Sequence, residues 1–193
     1  MNNRDKSGVH DYFLWKRFKN SDKDALSQIY KSNYSVLYDY GYRFLGNHAV
    51  ARECIQRLFF NLISNIDTLP TPRNTRSFLL ASLRKRIFNR INQDHSNNVT
   101  GDKSEYSFEL IISQKDLLID KENNALRKPE VKLKINNLPA REKELIYLKI
   151  SKNMKYGEIA EIMGIDSDSA RKLVKKAISE IKDLCGVWIK AHN

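Results

Sequence analysis

Residues 138–184 constrain this chain more than any other stretch. They read LPAREKELIYLKISKNMKYGEIAEIMGIDSDSARKLVKKAISEIKDL. A helix is expected to open at Leu138-Pro139, because the fixed φ of proline suits a first helical turn. A second, short helix carries Tyr156, Ile159, Ala160, Ile162 and Met163. Gly164 then turns the chain, and Asp166 is placed to cap a third helix bearing Arg171, Lys172, Lys175 and Lys176. Helix, short glycine turn and basic helix is the layout of a helix-turn-helix, whose last helix lies in a DNA major groove. On this reading Ser167–Ile178 enters the groove, with Ser169, Arg171, Lys172, Lys175 and Lys176 toward DNA. Arg or Lys to guanine is the expected base contact, and the remaining contacts go to phosphates. The competing meaning of the same pattern is a helical hairpin with a solvated lysine face.

Charge supports a polyanionic partner. The 193 residues carry a net +11 and the pI is about 9.6, which favours association with nucleic acid. Seven glycines and four prolines are few, and alternating apolar patterns are absent, so the expected fold class is all-α. Cys54 and Cys185 stand far apart and alone, which is no disulfide framework; Cys54 falls in an apolar helical stripe and reads as a small buried hydrophobe. No apolar run approaches a membrane-spanning length, and MNNRDKSGVHDYF lacks a signal-peptide core, so a soluble cytoplasmic protein is expected. His10, His48, His95 and His192 are scattered, with no metal-ligand spacing and no HExxH, CxxC or Walker pattern. No catalytic residue, metal or cofactor is therefore expected, and the chain does not read as an enzyme.

The charge is unevenly spread. Residues 1–91 have a net +9, residues 92–129 a net −2 and residues 130–193 a net +4. The middle opens with polar NQDHSNNVTGDKSEYS, which buries too little apolar area to hold a fold by itself. The expected organisation is a helical N-terminal domain over 1–92, a flexible linker over 93–129 and a helix-turn-helix domain over 130–193. A short helix within the linker is expected around Ser113–Leu126.

In the N-terminal domain, Asp11–Lys19 reads as a short helix with Tyr12, Trp15 and Phe18 for packing. Ser21 or Asp22 can cap a second helix that carries Leu26, Ile29, Leu37, Tyr40 and Phe44 and ends at Gly46-Asn47. A third runs from about His48 to Ile66, with Ala51, Ile55, Leu58, Leu62 and Ile66 on one face. After Leu69-Pro70-Thr71-Pro72, a fourth spans about Thr75–Asn92 and buries Leu79, Leu83, Ile87 and Ile91. Arg84, Lys85, Arg86 and Arg90 cluster beside that stripe. The crowded Tyr30, Tyr34, Tyr38, Tyr40 and Tyr42 are expected mainly in core or half-buried packing.

Several segments together resemble the extracytoplasmic-function group of RNA polymerase sigma factors, over about residues 11–92 and 130–184. LWKRFKNSDKDALSQIYKSNYSVLY resembles the group's opening helices. AVARECIQRLFFNLI resembles its polymerase-binding helix, and RSFLLASLRKRIFNRIN the helix that engages and opens the minus-ten element. LPAREKELIYL with YGEIAEIMGIDSDSARKLVKKAISEIK resembles the domain that reads the minus-thirty-five element. Within the group the wording is closest to Bacteroidetes members. Two departures stand out. The group's polymerase-binding helix is acidic, whereas two of its glutamates align here with Arg52 and Arg57, and Glu53 keeps one acidic position. Its serine cap before the short helix of the C-terminal motif aligns with Lys155.

The resemblance implies a transcription initiation factor without catalytic activity. It implies contact with core RNA polymerase through Arg52, Glu53, Gln56, Arg57, Phe59 and Phe60. The loop Asp67–Ser77 would take a flipped non-template base through Arg73, Asn74, Thr75 and Arg76. Arg84, Lys85, Arg86 and Arg90 would hold phosphates, and Asn89 a base or the backbone. The partners implied are core RNA polymerase and promoter DNA. The charge reversals and the missing cap add dependence on an anti-sigma factor or a recruiting DNA-binding protein, an RNA-guided one included. The rival reading is a helix-turn-helix regulator that does not dock on polymerase, which leaves the N-terminal segments unexplained.

Overall fold

The computed structural model describes residues 3–96, 106–111 and 136–185, with side chains over 11–93, 106–111 and 136–180. Every regular element among them is helical, as expected. The chain divides into two compact units, Met1–Ser104 and Glu105–Asn193.

The first unit holds α1 (Asn3–Lys19), α2 (Lys23–Leu45), α3 (His48–Ser64) and α4 (Thr75–Ser96). Asp22, one of the two candidate caps, starts α2: its carboxylate accepts from the amides of Asp24 and Ala25 at 2.9 and 3.0 Å, satisfying two of the donors every helix start leaves open. Ser21 instead turns the chain, at φ 63°. Gly46 ends α2 at φ 59°, where its N–H reaches the Tyr42 carbonyl, and Asn47 caps α3 through Ala49 and Val50. α3 stops short of the expected Ile66, because the Asn65 side chain donates to the Asn61 carbonyl at 2.8 Å. Ile66–Thr68 forms a separate 3₁₀ turn. α1 starts earlier than Asp11, and α4 runs past Asn92.

The core of this unit follows the apolar stripes. Trp15 and Phe18, Ile29 and Leu37, Ile55 and Leu58, and Leu79, Leu80, Leu83 and Ile87 are all buried; Ile91 is only half-buried. Trp15 meets Phe18 and Phe78 edge-on, and its indole N–H donates to the Pro70 carbonyl at 3.0 Å. One buried ring thereby fixes the loop between α3 and α4. Of the tyrosines, Tyr40 is fully buried and Tyr30, Tyr34, Tyr38 and Tyr42 are half-buried.

The second unit is built from α5 (Ala140–Ile146), which continues into a π turn at Tyr147–Ser151, then α6 (Tyr156–Met163) and α7 (Ser167–Cys185). The Pro139 carbonyl receives the amides of Glu142 and Lys143, so proline stands at the cap of α5 rather than inside its first turn. Gly164 turns the chain at φ 64°. The Asp166 carboxylate caps α7 through the Ser169 amide at 2.8 Å. Lys155 supplies no side-chain cap to α6; instead its own amide donates to the Glu158 carboxylate at 2.8 Å, half of a capping box.

One expectation is corrected here. Residues 106–111 lie inside the expected linker, yet they belong to the second unit. Phe108 and Leu110 are buried, and Phe108 sets its ring edge-on to Tyr147 at 5.5 Å. Their neighbours Ser107, Glu109 and Ile111 are exposed. The average polarity of the segment hid this alternation of buried and exposed side chains. The expected helix around Ser113–Leu126 lies outside the described residues.

Candidate nucleic-acid interface

The α3–α4 loop leads into the first candidate site. Arg73 and Arg76 are exposed. Asn74 and Thr75, expected beside a flipped base, are engaged in the fold instead. Asn74 starts α4: its side chain accepts from the Ser77 amide at 3.0 Å, and its carbonyl receives the Ser77 hydroxyl and the Phe78 amide. Thr75 is 3% exposed. A buried methyl and hydroxyl at a helix start cannot reach a base in this state, so Thr75 is corrected to a packing position.

The basic cluster on α4 is divided in two. Arg84 turns to one side, where its guanidinium lies 4.5 Å from the centre of the Phe88 ring, a cation–π contact that holds it in place. Lys85, Arg86, Asn89 and Arg90 line a groove of about 450 Å³ between α4 and α3. A linear count of charge cannot separate these two directions, which follow from the 100° step between helical residues.

On α3, Arg52, Gln56, Arg57 and Phe60 are exposed and Glu53 is half-buried. Arg57 pairs with Glu53 at 2.8 Å, one turn apart, so the reversed charge at Arg57 is partly neutralised within the helix. Phe59 is corrected from contact residue to core residue: it is 6% exposed and packs edge-on against Tyr30 at 4.9 Å. Phe60 is 67% exposed, and Ile63, at the far end of the segment expected to dock, is also exposed. Ile63 follows Phe60 at the i, i+3 spacing that places two side chains side by side.

In the second unit, Arg171, Lys172 and Lys175 are exposed on α7 at spacings of three and four, together with Asp168. Ser169 is half-buried inside the Asp166 cap. Hydrogen bonds from the Ser169 side chain and amide hold the Asp166 carboxyl below the usual carboxylate range. Lys176 is exposed too, but its ammonium is engaged by protein carboxylates, lying 3.5 Å from Glu142 on α5 and 3.4 Å from Glu180. Both raise its ammonium above the ordinary lysine value, Glu180 more than Glu142. Lys176 therefore ties α5 to α7 in this state, where the sequence had placed it among the DNA contacts.

Behind the exposed face sits a contact with no sequence signal. The Tyr156 ring has the Arg171 guanidinium at 5.4 Å and the Lys149 ammonium at 4.5 Å from its centre. Lys149 is buried, and desolvation pushes its ammonium below the ordinary value while Glu158 opposes that. Tyr156 in α6 thus steadies the base-reading candidate in α7.

The model of the family "Sigma-70, region 4" matches residues 130–181. This segment is therefore similar to a sigma-70 region 4 domain. Its described part is the π-turn-containing helix, the short α6 and the basic α7 above, and its core takes in Phe108 and Leu110 from before the matched residues. Solved structures share the fold of the chain. CnrH, in complex with the cytosolic domain of CnrY, matches at a TM-score of 0.58 and 13% identity, over 90% of this chain and 96% of that one. The sigma factor RpoE from Bartonella quintana, in complex with the anti-sigma factor NepR, matches at a TM-score of 0.58 and 17% identity, over 83% and 96%. No curated relative matches the chain by sequence. Among the described residues no helix is long and apolar enough to cross a membrane.

Proposed function

We propose that the chain is a transcription initiation sigma factor of the extracytoplasmic-function type, working in the cytoplasm without cofactor or catalysis of its own. The single observation that carries this reading is the region 4 domain, with Arg171, Lys172 and Lys175 on its exposed α7, in the same chain as a separate four-helix unit. In that unit α3 offers an apolar pair, Phe60 and Ile63, flanked by Gln56 and Arg57, as a docking face for core RNA polymerase. The α4 helix and the Arg73–Arg76 corner offer positive charge to an opened promoter. Arg171 reads a guanine, and Lys172 and Lys175 hold phosphates. An anti-sigma factor is the proposed regulator, by analogy with the partner of Bartonella RpoE.

The reading is tested by co-purification with core polymerase. Gln56→Ala with Phe60→Ala should lower retention while helicity persists, since both side chains are exposed. Wild-type retention of the double variant would remove the docking assignment and leave the rival, a DNA-binding regulator acting without polymerase. Arg73→Ala with Arg76→Ala should reduce permanganate reactivity of promoter thymines, and normal opening would remove the loop from the mechanism.

A further inference from the structure

Asn33 is a polar side chain where the buried stripe of α2 calls for an apolar one. It is 6% exposed and falls between Ile29 and Leu37 in that stripe. Asparagine is also a weaker helix former than leucine, and a buried amide costs free energy unless it is paired. Its amide nitrogen donates to the Ile29 carbonyl at 2.9 Å and to the Ser32 hydroxyl at 3.1 Å. Both donors are thereby used within α2, which fixes the carbonyl oxygen at the other end of the amide. That oxygen accepts from Nε of Arg76 at 3.5 Å, at the start of α4. The loop before Arg76 is held as well. From α1 the Lys19 ammonium donates to the Leu69 carbonyl, and the Trp15 indole to the next one, Pro70, at 3.0 Å. The Asn74 cap then opens α4. Arg76 is exposed, yet the root of its guanidinium is anchored. A guanidinium has donors on all three nitrogens, so the bond to Asn33 leaves the terminal pair for acceptors outside the fold.

We propose that Asn33 is a positioning residue for promoter opening: it holds Arg76 in the orientation in which the guanidinium meets the opened strand. A long, unheld arginine loses rotamer freedom when it grips a ligand, and that loss weakens binding. Arg76 has given up part of that freedom before the strand arrives. The proposal rests on the assignment of the Arg73–Arg76 corner to opening, and adds to it a residue of α2 that is itself too buried to touch DNA.

Asn33→Leu removes the acceptor, nearly keeps the volume and suits a buried helical position. In the free full chain, the Arg76 Nε–H resonance is assigned by its loss in Arg76→Ala. Its exchange with water should be at least about threefold faster in Asn33→Leu than in the wild type, the scale of one hydrogen bond. Equal exchange overturns the proposal. The holoenzyme is then tested on a promoter that the wild type selects from a randomised duplex pool, with permanganate reactivity as the readout. Asn33→Leu should lower opening by about threefold or more while retention on core polymerase stays at the wild-type level. In the Arg76→Ala background it should add nothing, because the two side chains act as one unit. Suppose Arg76→Ala lowers opening but Asn33→Leu does not, or the two losses multiply, or polymerase retention falls along with opening. Asn33 then serves the fold alone, and the proposal is overturned while the corner keeps its assignment. If Arg76→Ala opens the promoter normally, Arg76 has no part in opening and the proposal falls with that assignment. Should Asn33→Leu lose helicity, Asn33→Ala takes its place under the same criteria.

Discussion

The hydroxyl of Tyr106 donates to the carboxylate of Glu144 at 2.9 Å. This bond joins a segment that precedes the matched region 4 residues to the buried side of α5. Two positions on, Phe108 buries its ring against Tyr147. The working C-terminal unit therefore begins near residue 105, well ahead of the boundary at 130 that motif and family both suggest.

Phe108→Ala should destabilise that unit by about 3–5 kcal/mol, the usual cost of removing a buried ring and leaving a cavity. Amide exchange in α5 to α7 should accelerate while exchange in α1 to α4 stays unchanged. A fragment beginning at 130 should likewise melt below one beginning at 105. Equal melting of the two fragments would show that the segment contributes nothing to stability.

The neighbouring phenylalanines of α3 should behave oppositely. Phe59→Ala should cost about 3–5 kcal/mol in stability, because its ring is core. Phe60→Ala should leave the urea midpoint within the change usual for a surface substitution, about 0.5 kcal/mol, yet reduce retention on core polymerase. A large loss of stability in Phe60→Ala would contradict its exposed placement.

Lys175 and Lys176 are adjacent in sequence and differ in surroundings. Lys175→Ala should weaken binding to all duplex sequences and lower the slope of log affinity against log salt by about 0.9, one phosphate contact. Lys176→Ala should affect folding first. Burial and then Glu180 already raise the Glu142 carboxyl above its ordinary value, and without the ammonium the two carboxylates face each other. A carboxyl raised in the folded state takes up its proton there more readily than in the unfolded chain. The variant should therefore be least stable near neutrality and regain stability as pH falls below the Glu142 titration. Thermal melts across pH 4–8 check this, and a flat difference would rule it out.

Acid should act on the helix caps. Asp22 and Asp166 are both held below the usual carboxylate value: Asp22 chiefly by the Ala25 amide and Arg17, Asp166 by Ser169. For a lowered carboxyl the unfolded chain protonates first, so the caps' contribution is complete above the ordinary aspartate value of 3.8 and is lost as pH falls through the folded values. Asp166→Asn keeps an acceptor for the Ser169 amide and removes the titration. Its melting temperature should depend less on pH than that of the wild type below about pH 4, as circular dichroism would record; identical curves would exclude a role for this cap in acid unfolding.

Much of the fold was legible because local signals agreed with burial. Asp22, Asn47, Gly46, Gly164 and Asp166 each do at a helix end what their side chain or backbone freedom suits them to do. The Leu79, Leu83 and Ile87 stripe is likewise buried as its spacing required. The site was less legible, since charge and hydrophobicity are not directions. Phe59 and Phe60 are equivalent in composition and differ by one helical step, which decides core against surface. Lys175 and Lys176 are both exposed, and the same single step decides which of them meets Glu142 and Glu180. Arg84 and Arg86 were read as one cluster and face different neighbours. The Tyr156 contact with Arg171 and Lys149, and the packing of Phe108 on Tyr147, depend on tertiary approach, for which no periodicity exists.

The core of the C-terminal unit is contributed by two stretches of chain separated by residues 112–135. A backbone cut in that interval would leave Phe108 and Tyr147 on separate pieces. It would turn one folded chain into a noncovalent complex of two pieces, held by the same contacts but without the high effective concentration a covalent tether supplies. Such a complex would hold together when concentrated and come apart on dilution. The dissociation constant of such a split version, set against the unfolding free energy of the intact chain, would give the effective concentration that the covalent link supplies.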